Sequence, residues 1–218
     1  RKTFLLNLMS SPGSGKTTTL ARTIEALAGD LSIGVMEADI DSDVDARAMA
    51  ATGVTAIQLH TGGMCHLDAA MCRQGLAELE AAAEAAGTAP LDLAILENVG
   101  NLVCPAEFDT GASVNVAILS VPEGDDKPLK YPLMFEVCDV VLVNKMDVAP
   151  YFDFDLARCE ENVRLRNPGA KVIPMSAKTG EGTDAWAAWL RAAVAAWKTG
   201  TFEKATPANS EAPHYPGE

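Results

Sequence analysis

The chain has 218 residues, 48% of them apolar, and 30 acidic against 17 basic side chains give it a formal net charge of −13. That length can bury a full core, while the absence of any apolar run near about 18 residues excludes a membrane span, and the acidic balance without a Lys/Arg patch excludes a nucleic-acid partner. Five cysteines, Cys65, Cys72, Cys104, Cys138 and Cys159, make no even disulfide framework and no secretory leader precedes them, which points to a reducing cytoplasm.

The chain begins at Arg1 without a methionine and almost inside its first strand, so the sequence is expected to lack an N-terminal extension that the native protein carries. Residues 4–9 read as that strand, and Ser10-Ser11-Pro12-Gly13-Ser14-Gly15-Lys16-Thr17 follows directly, opening a helix over 17–28. This is the layout of a loop that binds a nucleoside triphosphate. Gly13 and Gly15 let the backbone curl until its NH groups point at a β-phosphate, and the positive end of the helix adds to the attraction. Lys16 reaches the β and γ oxygens, Thr17 offers its hydroxyl to Mg²⁺, and Ser14 and Thr18 complete the nucleotide-binding set. Ser10 stands where the usual pattern has its first glycine.

A strand over 33–37 leads into Glu37-Ala38-Asp39-Ile40-Asp41-Ser42-Asp43-Val44-Asp45, with a helix over 43–51. A hard-cation site and a solvated acidic loop look alike here; the preferred reading makes Asp39 and Asp45 catalytic groups that hold Mg²⁺ or position water. After a strand over 55–59, Thr61-Gly62-Gly63-Met64-Cys65-His66-Leu67-Asp68 places a thiol and an imidazole beside the nucleotide-facing edge, before a helix over 67–86 whose Ala/Glu-rich end reads as an ordinary solvated face. The strand over 91–97 ends in Glu97-Asn98-Val99-Gly100, an ExxG variant of the usual DxxG. Glu97 would hold Mg²⁺ and the Gly100 NH would meet the γ-phosphate, with Cys104 on the same segment. Three soft ligands per chain, Cys65, His66 and Cys104, fall short of the four that a closed metal site needs, so two chains would have to meet; alternatively the cysteines are small buried hydrophobes. The other three cysteines read as core, and His60 and His214 as structural and tail residues.

A strand over 115–121 precedes Glu123-Gly124-Asp125-Asp126-Lys127-Pro128-Leu129-Lys130-Tyr131-Pro132. The next strand, 139–144, ends in Asn144-Lys145-Met146-Asp147, the NKxD arrangement of guanine-binding GTPases. The Asp147 carboxylate can accept from guanine N1 and the 2-amino group together, which adenine cannot offer. Asn144 and Lys145 would brace the loop and cover the base. Beyond a helix over 154–166 and a strand over 171–175, Ser176-Ala177-Lys178 brings a backbone NH, that of Ala177, near guanine O6; a last helix spans 182–197 and a tail follows. Strands alternating with helices predict an α/β, doubly wound, mostly parallel sheet flanked by helices, a G domain over residues 1–200 and a flexible tail over 201–218. Asn101 stands where fast GTPases carry a water-orienting glutamine, which predicts slow intrinsic hydrolysis of GTP to GDP, with Lys127 or Lys130 supplying charge in trans.

The Gly62–Ala69, Glu97–Pro105 and Glu123–Pro132 stretches, within a similarity running from Phe4 to Trp197, resemble the HypB family of hydrogenase nickel-incorporation GTPases, of the SIMIBI class of P-loop NTPases. Ala38 and Arg47 depart from the family pattern in the acidic loop. The resemblance implies a GTP-dependent metallochaperone that binds Ni²⁺ or Zn²⁺ through Cys65, His66 and Cys104. It further implies a homodimer promoted by GTP, a small nickel-binding maturation protein as partner, and delivery of nickel to the large-subunit precursor of [NiFe]-hydrogenase. Two other classes remain open: a maturation GTPase for urease or a cobalamin enzyme, and a regulatory G protein that needs no metal.

Overall fold

The computed structural model describes residues 3–38, 53–59 and 67–205. Its seven strands are β1 (Phe4–Ser10), β2 (Ile33–Glu37), β3 (Thr55–Gln58), β4 (Leu93–Gly100), β5 (Val114–Ser120), β6 (Val140–Asn144) and β7 (Lys171–Pro174). They form one sheet in the order β3-β2-β4-β1-β5-β6-β7. Every neighbouring pair is parallel, so the expected doubly wound α/β fold holds and "mostly parallel" becomes wholly parallel. The order reverses at β1, the strand that feeds the phosphate loop, and such a switch point opens a crevice at the carboxyl ends of the strands.

The long helices are α1 (Lys16–Leu27), α2 (Ala69–Ala86), α6 (Leu156–Arg166) and α7 (Thr183–Thr199), with short α3 (Cys104–Glu107), α4 (Lys127–Lys130) and α5 (Pro132–Glu136) between them. Asp68 caps α2 by accepting from the Ala70 and Met71 NH groups at 2.9 and 2.8 Å, and Gly87, at φ 73°, closes its far end. The Ala/Glu-rich run is the second half of this helix, and its Leu79 and Ala83 are buried. The short helices escaped the sequence reading because four or five residues show no 3.6-residue period. Their sequence signal was a proline in the first turn: Pro105, Pro128 and Pro132.

Alternation along β1 sends Phe4, Leu6 and Leu8 to the face covered by α1 and α7, where they join Leu20, Ile24, Trp186 and Leu190 in one continuous cluster. Among the described residues the opposite face holds two separate clusters, one of β2 and β4 residues with α2 and one of β5 and β6 residues with α5 and α6. Trp186 is 1% exposed, and its indole NH donates to the Thr23 hydroxyl at 2.9 Å, tying α7 to α1.

Of the tail expected over 201–218, the described residues 201–205 are held against the domain. Phe202 packs edge-on to Phe4 and Trp197 at ring separations of 5.1 and 6.4 Å, and Lys204 and Ala205 bond to the Ala112 carbonyl and the Asp139 carboxylate. An aromatic ring that can leave water against two others docks the chain through 205. The expectations for the helix over 43–51 and the tail from Thr206 to Glu218 fall outside the described residues. Among the described residues no helix is long and apolar enough to cross a membrane.

Candidate functional site

An open cleft of about 610 Å³ lies at the carboxyl end of β1, walled by Ser10–Gly13 and Gly15–Thr18 on one side and by Glu97, Val99, Gly100 and Lys145 on the other. Gly13 (φ 76°) and Gly15 (φ 97°) adopt the left-handed backbone that the loop needs. A Cβ on Gly15 would also stand 2.5 Å from the Asn144 Nδ2, so glycine is required twice over.

Lys16 sits at the first turn of α1 with its ammonium bonded to the Asn98 carbonyl and 4.0 Å from a Glu97 oxygen. The Thr17 hydroxyl donates to Glu97 Oε1 at 3.4 Å, and Glu97 is 2% exposed. A hydroxyl and a buried carboxylate converging from different elements on the phosphate side of the cleft form an oxygen donor set that suits Mg²⁺. Gly100 ends β4 on the same wall. The structure thus brings Gly13, Gly15, Lys16, Thr17, Thr18, Glu97 and Gly100 around one space.

The base-side motifs are wired into the phosphate loop. Asn144, at the end of β6 and 2% exposed, donates to the Ser14 carbonyl at 3.0 Å and to the Thr19 hydroxyl at 3.4 Å, and accepts from the Ala177 NH at 3.0 Å. Lys145, at φ 63°, lays its ammonium on the Gly13 carbonyl at 2.6 Å. The Ser176 hydroxyl donates to Asp147 Oδ1 at 2.7 Å and orients that carboxylate. The Ala177 NH, expected to meet guanine O6, is engaged by Asn144 and Ala177 is 2% exposed, so it braces the loop, while Lys178 beside it is exposed.

The Glu123–Pro132 segment reaches the same loop. Glu123 caps the turn Val121–Glu123 through Ser120 and accepts from the Ser11 hydroxyl. Lys127 pairs with Glu123 at 3.4 Å and lies 4.8 Å over the Tyr131 ring, whereas Lys130, 58% exposed, pairs with Asp126 at 2.7 Å. The link from Ser11 to Glu123 was missed in the sequence, where nothing local connects residues 112 apart. Asn98 gains its role only from the fold, although an amide inside an apolar strand is a sequence signal for a buried partner.

Asp39, Asp45, Cys65, His66, His60 and His214 lie outside the described residues. Cys104 is the described member of the expected metal trio. It begins α3, half-buried, with the Asn101 amide 3.7 Å from its sulfur. Among the described residues no three His, Cys, Asp or Glu side chains could hold a metal ion. Cys72, Cys138 and Cys159 are 0% exposed, and burial pushes the Cys72 and Cys159 thiols up to about 12 and that of Cys138 well above its usual value. These three are core residues.

Residues 4–174 match the family described as "CobW/HypB/UreG, nucleotide-binding domain". The hydrogenase maturation factor HypB of Azotobacter chroococcum mcd 1 is 51% identical over 189 residues, 86% of this chain, and the chain spans 59% of that relative's length. The crystal structure of HypB from Helicobacter pylori in complex with nickel superposes with a TM-score of 0.81 at 36% identity, covering 93% of this chain and 90% of that one. That of the hydrogenase maturation factor HypB from Archaeoglobus fulgidus gives 0.79 at 37% identity, covering 88% and 91%. The signal recognition particle 54 kDa protein from Aeropyrum pernix K1, in complex with GDP, shares the fold at a TM-score of 0.58 and 14% identity, over 92% of this chain and 49% of that one. A phosphate loop at the switch point, an acid facing its threonine and a guanine-type motif pinned to it thus agree with these likenesses: the chain belongs to the CobW/HypB/UreG family of nucleotide-binding domains, alongside its HypB members.

Proposed function

We propose that this chain is the GTP-hydrolysing domain of a nickel metallochaperone serving [NiFe]-hydrogenase maturation. The observation that carries the nucleotide half is the bracing of the guanine motif: Asn144 bonds the phosphate loop and the Ala177 segment at once, while Ser176 holds Asp147. A base read by Asp147 and a triphosphate held by Gly13 to Thr18 are then registered to one another before either binds. Asp147 pairs with the two guanine NH groups, and O6 takes its donor from the exposed Lys178 backbone or by sharing the Ala177 NH.

Lys16 neutralises the β and γ oxygens, and the Gly100 NH meets the γ-phosphate and reports its loss. Magnesium accompanying the nucleotide would be held by Thr17 and Glu97, with Asp39, and would draw off charge developing on the phosphates. Asp39 and Asp45 position water. Hydrolysis is slow because Asn101 replaces a glutamine and, among the described residues, no arginine lines the cleft; each lysine pairs within its own chain, Lys127 with Glu123 and Lys130 with Asp126, and the more exposed Lys130 is the better placed to add charge to a second copy.

Nickel is the cargo, held by Cys65, His66 and Cys104 from two copies brought together by GTP, received from a small nickel-binding maturation protein and passed to the hydrogenase large-subunit precursor. The nickel-bound Helicobacter structure supports this half of the reading. Thiolate ligands make nickel affinity fall as pH drops. Titration with Mg²⁺ and GTP, GDP or ATP, followed by nickel titration in each nucleotide state with molecular mass recorded, tests both halves. GTP should bind far more tightly than ATP, Asp147→Asn should move preference toward xanthine nucleotides, and nickel affinity should rise in the GTP-bound dimer. Equal binding of ATP and GTP would remove the guanine assignment. Nickel affinity indifferent to Cys104→Ala would remove the cargo assignment.

A further inference from the structure

We propose that Asn7, on the sheet face opposite α1 and α7, is a positioning residue for GTP hydrolysis that sets the γ-phosphate-facing end of β4. The proposal rests on the nucleotide reading above. Asn7 lies in the central strand, 2% exposed, on the face that Leu5 and Met9 share and that Phe4, Leu6 and Leu8 turn away from. Leucine would be the packing choice there. The chain instead carries three amides across three strands: Asn98 Nδ2 donates to Asn7 Oδ1 at 2.9 Å, Asn7 Nδ2 to Asn115 Oδ1 at 3.0 Å, and Asn115 Nδ2 to the Val137 carbonyl at 3.1 Å. Every donor runs the same way, so one orientation of each amide satisfies the whole row, and such a row holds its members more rigidly than separate bonds would.

The row ends where the pairing of β1 and β4 slips. Leu8 faces Glu97 and Ser10 faces Gly100, so Met9 opposes both Asn98 and Val99. This is a bulge, a device that re-aims a strand beside a site. Asn98, 0% exposed, is fastened at three atoms. Its amide nitrogen is held by Asn7, its Oδ1 accepts the Val99 NH at 2.8 Å, and its carbonyl receives the Lys16 ammonium. Asn98 separates the acid that faces Thr17 from the glycine on the cleft wall, so the bond it donates to Asn7 decides where the extra residue sits. It thereby sets the direction of the carbonyl that meets Lys16 and of the Gly100 NH.

The test compares Asn7→Leu with Asn115→Leu in the whole chain. Each variant removes two bonds of the row, but Asn115→Leu leaves the bond between Asn98 and Asn7 in place. Asn7→Leu should bind GDP about as tightly as wild type, since the phosphate loop and base motif are intact, while its kcat for GTP falls about 10- to 100-fold with KM little changed, within the roughly hundredfold that a misplacement of about 1 Å costs. Asn115→Leu should lose stability and keep kcat. In the wild-type protein the Asn7 and Asn98 side-chain amide NMR signals should move when GDP is replaced by a non-hydrolysable GTP analogue, and the amide of Asn167 should not. An unchanged kcat in folded Asn7→Leu, equal kcat losses in both variants, or Asn7 and Asn98 signals indifferent to the γ-phosphate would each overturn the proposal. The amide signals need no variant to fold and respond to whichever triphosphate binds, so a wrong guanine assignment would leave them intact while failing the ATP comparison.

Discussion

The two faces of the sheet are built on different rules. Under α1 and α7 the apolar residues form one cluster that runs from β2 across to β7. On the other side Asn7, Asn98 and Asn115 stand in the middle, and apolar packing divides into a part with β2, β4 and α2 and a part with β5, β6, α5 and α6. The first face fixes the helix that carries the phosphate loop. The second separates the strand ends leading to the acidic and cysteine-bearing loops from those that carry the Asn144–Asp147 and Ser176–Lys178 motifs. Apolar contact is non-directional and supplies bulk stability, whereas a row of amides supplies less energy and a defined register.

The sharpest way to break the contrast is to cut the continuous face. Trp186→Ala should cost about 4 kcal/mol, through lost burial, the cavity and the lost bond to the Thr23 hydroxyl, and should lower the urea midpoint as a single cooperative transition. A second, local transition would mean that this face is also divided.

Leu79→Ala on the divided face should cost about 3 kcal/mol, within the usual range for a buried leucine. Hydrogen exchange should quicken in α2, β2 and β3 and stay slow in β6. Alkylation follows the same logic. Cys72 and Cys138 should resist iodoacetamide in the wild type, and Leu79→Ala should expose Cys72 while Cys138 stays protected. Uniform quickening would show that the amide row does not divide the face.

Asp125 closes the rim of the β5–β6 half. It is 5% exposed, takes two bonds from Arg158 at 2.9 and 2.6 Å and one from the Asp155 NH at 2.8 Å, and its carbonyl holds Asn162. Asp125→Ala should cost about 2 kcal/mol, a charge-assisted bond's worth. The Arg158 guanidinium holds the Asp125 carboxyl below the usual carboxylate range. Its contribution is therefore complete above about pH 4, the unfolded value, and lost as pH falls through the lower folded value. Wild type and Asp125→Asn should differ at pH 7 and converge in acid.

The smallest effect is expected from Asn115→Leu, about 1 kcal/mol, because an apolar side chain of similar size offsets most of the unpaired Asn7 donor. A loss as large as that at Trp186 would mean that the amide row carries bulk stability as well as register.

Much of this was legible in the chain. All seven strands and the long described helices stood where hydrophobic runs and turn residues put them, since those signals are local. Gly13, Gly15 and Lys16 could be read as a phosphate loop because the backbone curl they need is encoded within eight consecutive residues, Ser10 to Thr17. The guanine motif was readable for the same reason, but its attachment was not. Asn144 bonds the Ser14 carbonyl 130 residues away, and no local pattern names that partner. The docking of Phe202 on Phe4, the pairing of Lys127 within its own chain and the engagement of the Ala177 NH were hidden in the same way.

By itself, then, the sequence determined the kind of element at each place and the chemistry at each strand end, because backbone freedom, periodicity and side-chain type act over a few residues. Tertiary structure decided the strand order β3-β2-β4-β1-β5-β6-β7, the meeting of Thr17 with Glu97, and the alignment of Asn98, Asn7 and Asn115 across three strands. Those depend on which distant segments share a burial, and a buried polar group finds its partner only when the whole sheet has closed around it.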